Sequence, residues 1–365
     1  FLGQAHGFAV AALESTGFYR RHGHVYTCIY MPRQGAVWAR FGPGAVRGYN
    51  DPMSLRRDIG RARYAAAQGA RVAWYMSQYL LARRISGPFN RPGEPQFKPQ
   101  AQGGDPTRIR AAFLELFAKD RVNIEAGLYP APEDIRVTQA LSALRNSARF
   151  FRDLPNVDAR RLQRDGVEVR DAVRAEGESR YPTYYLQNFH YQSGGWLTEE
   201  SAKLYDTQVE VLFGGAADAM RRIALGSLAR GIKGRDQRGV KLLDVACGNG
   251  HFLRQVMGAF PRMVATGLDL SPAYCAEARE RLADWRQIEI VQGAIEQAPF
   301  EDASFDAATC VYLFHELPPR VRRDAAREIA RLLKPGGVLV LADSIQTGDA
   351  PNLDRMLEYF PVGFH

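Results

Sequence analysis

Residues 242–252 read LLDVACGNGHF: an apolar run suited to a strand buried on both faces, then a turn holding Gly248 and Gly250, then a helical pattern from Phe252 onward. Glycines at a strand-to-helix turn let a ligand approach the backbone, and the free N–H groups of the helix start attract polar or negatively charged groups. A nucleotide-like ligand is favoured. The dinucleotide fingerprint needs a third glycine where Leu253 stands, which disfavours NAD and FAD. No lysine-bearing phosphate loop stands nearby, so a triphosphate site of that kind is excluded.

From Lys241 the chain alternates: KLLDVAC, helix, MVATGLDL, helix, QIEIVQG, SFDAATCVYLF, helix, VLVLADS. This predicts an α/β fold, a mostly parallel, Rossmann-like sheet with helices on both faces. Such sheets bind ligands outside the carboxyl ends of their strands. Four features line up there: the turn from Asp244 to Gly250; Asp269, whose carboxylate can accept two hydrogen bonds from ribose hydroxyls; GAIEQAPF at 293–300; and VYLFHELPP at 311–319.

Upstream the texture differs. Residues 7–31 read as two short strands and 42–52 as loop; 54–85 has a helical pattern, with Arg56, Arg57, Arg61, Arg63 and Arg71 expected outside and the run from Trp74 to Leu81 packed inward. Residues 86–106 are Pro/Gly-dense linker. Helices are predicted over 107–125, 133–151, part of 157–176, 198–213 and 216–230, with Thr198 as an N-cap ahead of Glu199 and Glu200. The aromatic loop YPTYYLQNFHYQSGGW (181–196) is a candidate lid: His190 and Tyr191 either line an apolar pocket or pack between domains. The implied organisation is a short β element and loop (1–52), a helical N-terminal domain (53–180), lid and covering helices (181–237) and the α/β core (238–365).

At 365 residues, 46% hydrophobic and 24% charged, the composition is that of a globular protein, and no apolar run reaches the length of a membrane helix. Four scattered cysteines form no framework and fit a reducing cytosol. The net charge of +8 is uneven: residues 1–100 hold 14 Arg+Lys against 4 Asp+Glu. Such a patch favours RNA or an anionic membrane surface, or is an arginine-rich solvated face. His22 and His24 lack carboxylates or cysteines nearby, and no metal is predicted. The first methionine is Met31 and PVGFH carries no terminating signal, so a fragment cut at both ends is expected.

The segments DVACGNG, LDLS, FDAATCVYLFHELP and LLKPGGVLVLADS resemble the successive motifs of class I S-adenosylmethionine-dependent methyltransferases, over about residues 199–360. LLKPGG is especially similar to the ubiquinone/menaquinone-type and other small-molecule enzymes. The resemblance implies that Gly248 and Gly250, with Ala246 in the same turn, bring the backbone to the cofactor, that Asp244 orients its amino group, that Asp269 holds the ribose and that Leu270 packs on the adenine. Tyr205 and Asp206 match a "YD" lying over the methionine end. The acidic residue that many relatives carry after strand three is replaced by Ala294, so Glu296 or the backbone of Ala294 and Ile295 must read the adenine. His315 is the candidate base, with Glu316 beside or orienting it; the pair could equally cap the following helix. His251 and Cys247 are read as structural.

The family reading makes S-adenosylmethionine the cofactor and a small or medium, apolar or aromatic molecule the acceptor. An RNA methyltransferase is the alternative, disfavoured because no N-P-P-Y-like tetrapeptide follows strand four. A non-catalytic cofactor-binding module would need the same glycine turn and Asp269. Peripheral membrane contact is compatible with the basic helix; the oligomeric state and the methylated element are not legible. A class I sheet ends in an antiparallel pair, and residues 7–31 read like that pair. The expectation is nonetheless a sheet lacking its last two strands, with residues 1–41 a separate β element; pairing of 25–31 with 338–344 would mark a permuted chain.

Overall fold

The computed structural model describes residues 25–28, 52–87, 93–95, 97–101, 105–132, 137–163, 166–175, 181–350 and 353–358. Five strands of the core, β2 (Lys241–Val245), β3 (Val264–Asp269), β4 (Ile288–Gln292), β5 (Phe305–Val311) and β6 (Leu333–Ala342), alternate with α7 (His251–Ala259), α8 (Pro272–Arg281) and α9 (Pro319–Leu332). With β1 (Val25–Cys28) they form one parallel sheet in the order β1-β6-β5-β2-β3-β4. Strand β2 shows why: its alternate residues serve two cores. Leu242 packs with Ala307, Val340 and the α7 residues Leu253 and Val256, whereas Leu243 and Val245 pack with Cys310 and the α9 residues Ile329 and Leu332. A strand buried on both faces reads as a continuous apolar run and cannot face water.

The expected separate β element is corrected for its described part. Val25 to Cys28 pairs with Val338 to Leu341, covering the edge of β6. The pairing is parallel, so it is not the antiparallel addition that residues 7–31 resembled. The rest of 7–31, with His22 and His24, lies outside the described residues, as does the expected loop 42–52 but for Pro52. Among the described residues no strand follows β6; a short helix α10 (Asp354–Leu357) does.

Ahead of the core strands come α1 (Pro52–Ile85), α2 (Pro106–Glu125), α3 (Val137–Gln163), α4 (Glu168–Ala175), α5 (Glu199–Leu212) and α6 (Ala217–Gly231), of which α6 packs on the α7 face of the sheet. Helix α3 runs past the predicted end at 151 and through Pro155, because Leu154 and Ser147 are buried by tertiary packing that outweighs the lost backbone donor. Helix α5 starts as predicted, with the Thr198 hydroxyl accepting from the Ser201 N–H. Buried Asp120 of α2 accepts from the Arg222 guanidinium of α6 (2.6 Å) and from the hydroxyls of Tyr64 (2.6 Å) and Tyr129 (2.9 Å), locking α1, α2 and α6 around one charge. Breaking such a pair leaves an uncompensated charge and costs about 3–5 kcal/mol.

The reading of α1 is corrected in two respects. Arg71 is not outside: it pairs with Glu210 (2.7 Å) and Asp218 (2.8 Å) against α5 and α6. The apolar run divides, with Tyr79 and Ala82 buried but Trp74, Leu80 and Leu81 exposed at 37%, 47% and 48%. No described helix is long and apolar enough to cross a membrane.

Candidate active site

A cleft opens at the carboxyl ends of β2, β3, β4 and β5, roofed by the 181–198 lid. Its floor is the glycine turn. Gly248 has φ +56°, and a Cβ there would meet nothing nearer than Tyr274 at 3.9 Å, so the space over its backbone is open for a ligand. Gly250 serves a different end. It has φ +77°, but a Cβ would lie 2.9 Å from Leu282 Cδ1 and 3.2 Å from Ala278 Cα, so this glycine lets α7 pack against α8 and does not line the cleft. Ala246 lines the cleft with φ +55°, a left-handed conformation costing about 1–2 kcal/mol.

Asp244 and Asp269 stand near the carboxyl ends of the neighbouring strands β2 and β3, Asp244 opposite Gly267 and Asp269 two residues further on. Each Asp269 oxygen accepts one backbone N–H, Oδ2 from Gly248 and Oδ1 from Ser271, both at 2.9 Å. A carboxylate oxygen has two lone pairs, so each keeps one for a ribose hydroxyl. Burial pushes the Asp269 carboxyl up to about 6, against the pull of the Ser271 and Gly248 N–H groups. Asp244 is more deeply buried and accepts from the Thr309 hydroxyl of β5 (2.6 Å). Burial lifts it to about 7, against that hydrogen bond and helped by the Asp269 charge. Both carboxylates therefore sit where a cation would be welcomed.

Leu270, Ala294 and Ile295 line the far end of the cleft, with Glu296. Glu296 Oε1 accepts from the Tyr184 hydroxyl of the lid (2.6 Å), while Oε2 is buried without a partner. An orphaned acceptor at that end matches an exocyclic amine. The Ser271 hydroxyl donates to the Trp196 carbonyl, and Phe189 and Trp196 stack at 3.9 Å, so the lid is tied to the end of β3. Open space over Gly248, two carboxylates, a small apolar floor and the spare Glu296 oxygen fit S-adenosylmethionine.

Tyr205 lines the cleft as expected and meets Tyr274 edge-on at 5.7 Å. Asp206 does not line it. The Asp206 carboxylate accepts from Asn249 (3.0 Å) and Arg281 (2.7 Å) and lies 3.1 Å from His251 Nδ1, while His251 Nε2 donates to Asp218 (2.6 Å). Burial would raise Asp206, but His251 and Arg281 hold it well below the usual carboxylate range. Through Asp218 this network reaches Arg71 of α1 and Arg221 of α6. The structural reading of His251 is thus an ionic one. Cys247 is buried with its thiol pushed well up by burial, as a non-nucleophilic cysteine.

His315 and Glu316 end a tight 3-10 turn after β5. They do not cap α9, whose N-cap Pro318 has no side-chain partner. Only Glu316 lines the cleft. The His315 Nδ1–H donates to Asp343 Oδ1 (2.8 Å), and its Nε2 lies 3.1 Å from Glu316 Oε1. Burial alone would lower His315, but these two carboxylates push it up to about 10. From the lid, His190 brings Nε2 to 2.6 Å from the same Glu316 oxygen, and burial notwithstanding, the two imidazoles hold the Glu316 carboxyl well below its ordinary value. His190, His315 and Glu316 form a group whose candidate ligand atoms all lie within 4.8 Å of one another, the one such group among the described residues. The expectation of no metal was argued only from His22 and His24.

Behind this cluster is a second, largely apolar pocket, lined by Tyr79, Phe150, Leu154, Val157, Val209 and Leu212 among others. Tyr205 borders both cavities, and His190 belongs to the second. Thr309, Asn249, Tyr184, Tyr274 and Asp343 were missed at the sequence level. Asp343 alone had a signal, as the acidic residue closing VLVLADS.

Residues 242–337 match the family model described as a methyltransferase domain. The chain is similar to the ubiquinone/menaquinone biosynthesis C-methyltransferase UbiE of Methylobacterium nodulans, 32% identical over 44% of this chain and 62% of that protein. It is also 34% identical to the demethylmenaquinone methyltransferase of Staphylococcus aureus, over 30% of this chain and 45% of that one. Each match thus spans less than two thirds of the relative. Among solved structures, the YcgJ protein of Bacillus subtilis aligns over 38% of this chain and 58% of its own, with 29% identity and a TM-score of 0.33. The glycine turn, the two strand-end carboxylates and the family match converge: residues 242–337 carry a methyltransferase domain, similar in sequence to the ubiquinone/menaquinone-biosynthesis enzymes.

Proposed function

We propose that the protein transfers the methyl group of S-adenosylmethionine to a small or medium aromatic acceptor of mainly apolar surface, bound in the pocket behind Tyr205. The observation that carries this reading is the shared wall: Tyr205 borders both the cofactor cleft and the apolar pocket, with Glu316 facing the first and His190 the second. At the apolar pocket Arg161 is matched by Asp158 at 2.9 Å, which favours a neutral acceptor body there. The relatives named for quinone biosynthesis make a quinol-like ring a reasonable first choice.

Bound S-adenosylmethionine supplies an electrophilic methyl on a sulfonium. Asp269 would hold the ribose, Asp244 the amino group, Glu296 the adenine amine, and Leu270, Ala294 and Ile295 the ring. The protein's main contribution is orientation, which can lower a barrier by roughly 7–11 kcal/mol. The expected roles of the strand-five pair are exchanged in this reading. Glu316, facing the cleft and kept ionised by His190 and His315, accepts a hydrogen bond from the acceptor's hydroxyl and aims it, and His315, turned toward Asp343, positions Glu316.

The test is incubation of the protein with methyl-labelled S-adenosylmethionine and a panel of demethylated quinols and alkylphenols, read by mass spectrometry. Label in an aromatic product, abolished in Glu316→Ala, is the expected result. Binding of the cofactor with label appearing only in RNA, or in no member of the panel, would sink the acceptor assignment.

A further inference from the structure

We propose that His190, His315 and Glu316 form a site for a divalent first-row transition-metal ion, with zinc the best match, and that the ion clips the lid to the end of β5. Two imidazoles and one carboxylate are the protein ligands of one class of open, four-coordinate zinc site. Three observations carry the assignment. The Nε2 atoms of both histidines converge on the same oxygen, Glu316 Oε1, at 2.6 and 3.1 Å, and the three candidate donor atoms lie within 4.8 Å of one another. Ligands at 2.0–2.1 Å around a tetrahedral ion stand about 3.3 Å apart, so each side chain needs to move by on the order of 1 Å.

The second observation is the outer support. His315 gives its Nδ1–H to Asp343, so Nε2 is the ring position turned toward Glu316, where an ion would replace the proton, the arrangement metal-bound histidines use. Asp343 is itself pinned by the N–H groups of Phe314 and Ser344, both at 2.7 Å, so the orientation is rigid. The third is strain. His190 has φ +52° and its neighbour Tyr191 φ +60°, and the lid thus holds two non-glycine residues in the left-handed region where it delivers the His190 ring. The fourth coordination position would face the wall between cleft and apolar pocket, since Glu316 lines one and His190 the other. An oxygen of the acceptor or a water completes the shell there.

The competing arrangement is a hydrogen-bonded chain of imidazoles alternating with carboxylates, His190–Glu316–His315–Asp343, without an ion. Metal binding distinguishes them and stands whether or not methyl transfer is the reaction. Untagged, chelator-treated full-length protein is titrated with Zn²⁺ by calorimetry and with Co²⁺ by visible absorption. One equivalent should bind, with the intense bands of four-coordinate cobalt. Asp343→Asn should weaken it by about 10- to 100-fold, as loss of an outer-shell partner does. His190→Ala and the isosteric Glu316→Gln should each weaken it at least as much and alter the cobalt spectrum, and unchanged circular dichroism shows that the variants remain folded. Absence of stoichiometric binding, or binding unaffected by both substitutions, overturns the proposal; so does a response to Mg²⁺ alone. Should metal bind while no acceptor is methylated, the site stands and the acceptor reading falls.

Discussion

From Lys241 to Val311 the cleft residues sit within a few positions of a strand end, and parallel backbone pairing sets their spacing. The apolar pocket across Tyr205 is assembled otherwise, from α1, α3, α5 and the lid, by side-chain packing such as Tyr79 and Met76 against Val211 and Phe150. The difference teaches where change is tolerated. A strand-end carboxylate cannot move without breaking the sheet, whereas the acceptor wall can be re-lined residue by residue. Cofactor binding and acceptor choice should therefore respond to separate substitutions.

The largest effect is expected where the cofactor turn meets the scaffold. Gly250→Val combines a left-handed φ with a clash against Leu282 and Ala278, for about 2–5 kcal/mol of destabilisation. Thermal melting should fall by many degrees; an unchanged melting temperature would break the claim that this glycine serves α7–α8 packing. Next, Asp269→Ala removes hydrogen bonds to a charged acceptor and should weaken S-adenosylmethionine by about 1.5–3 kcal/mol in calorimetry, with acceptor KM little changed. Equal loss on both sides would erase the separation.

Protonation sharpens the same contrast. The folded pKa values of Asp244 and Asp269, about 7 and about 6, lie above their unfolded ones, so both bind protons more tightly in the ligand-free fold. Their stabilising contribution is full below about pH 4 and is lost as pH rises through 6 to 7. The cationic cofactor prefers the ionised pair. Its affinity should rise at least tenfold, about 1.4 kcal/mol, between pH 5 and pH 8, and its stabilisation of the protein against heat should grow over the same interval. A flat profile would mean that neither carboxylate faces the cofactor's charge. The smallest effect is on the acceptor side. Phe150→Leu trims the apolar pocket and should raise acceptor KM by about 1 kcal/mol while leaving cofactor affinity alone.

The resemblance of short segments made the cofactor half legible, because each motif there is a local structure: strand, turn, helix start. Asp244, Ala246, Gly248, Asp269, Leu270, Ala294 and Ile295 all reach the cleft because the end of a parallel strand has only one place to point. Arg71 shows the opposite case. In sequence it is one arginine of a basic helix, yet tertiary packing places it between Glu210 and Asp218, where only charges from α5 and α6 explain it.

His190, Glu316, His315 and Asp343 make the division concrete. The HELP segment and the closing aspartate of VLVLADS were visible as motifs, and the lid was visible as an aromatic loop. That they meet was not. Periodicity encodes which face of its own element a side chain takes, so the sheet and its helices followed from the sequence alone. The contact between a lid residue and a strand end depends on how the lid folds back over the sheet, through Tyr184 on Glu296 and Ser271 on Trp196. No local pattern encodes that closure, and it was settled only by the packing of the whole chain.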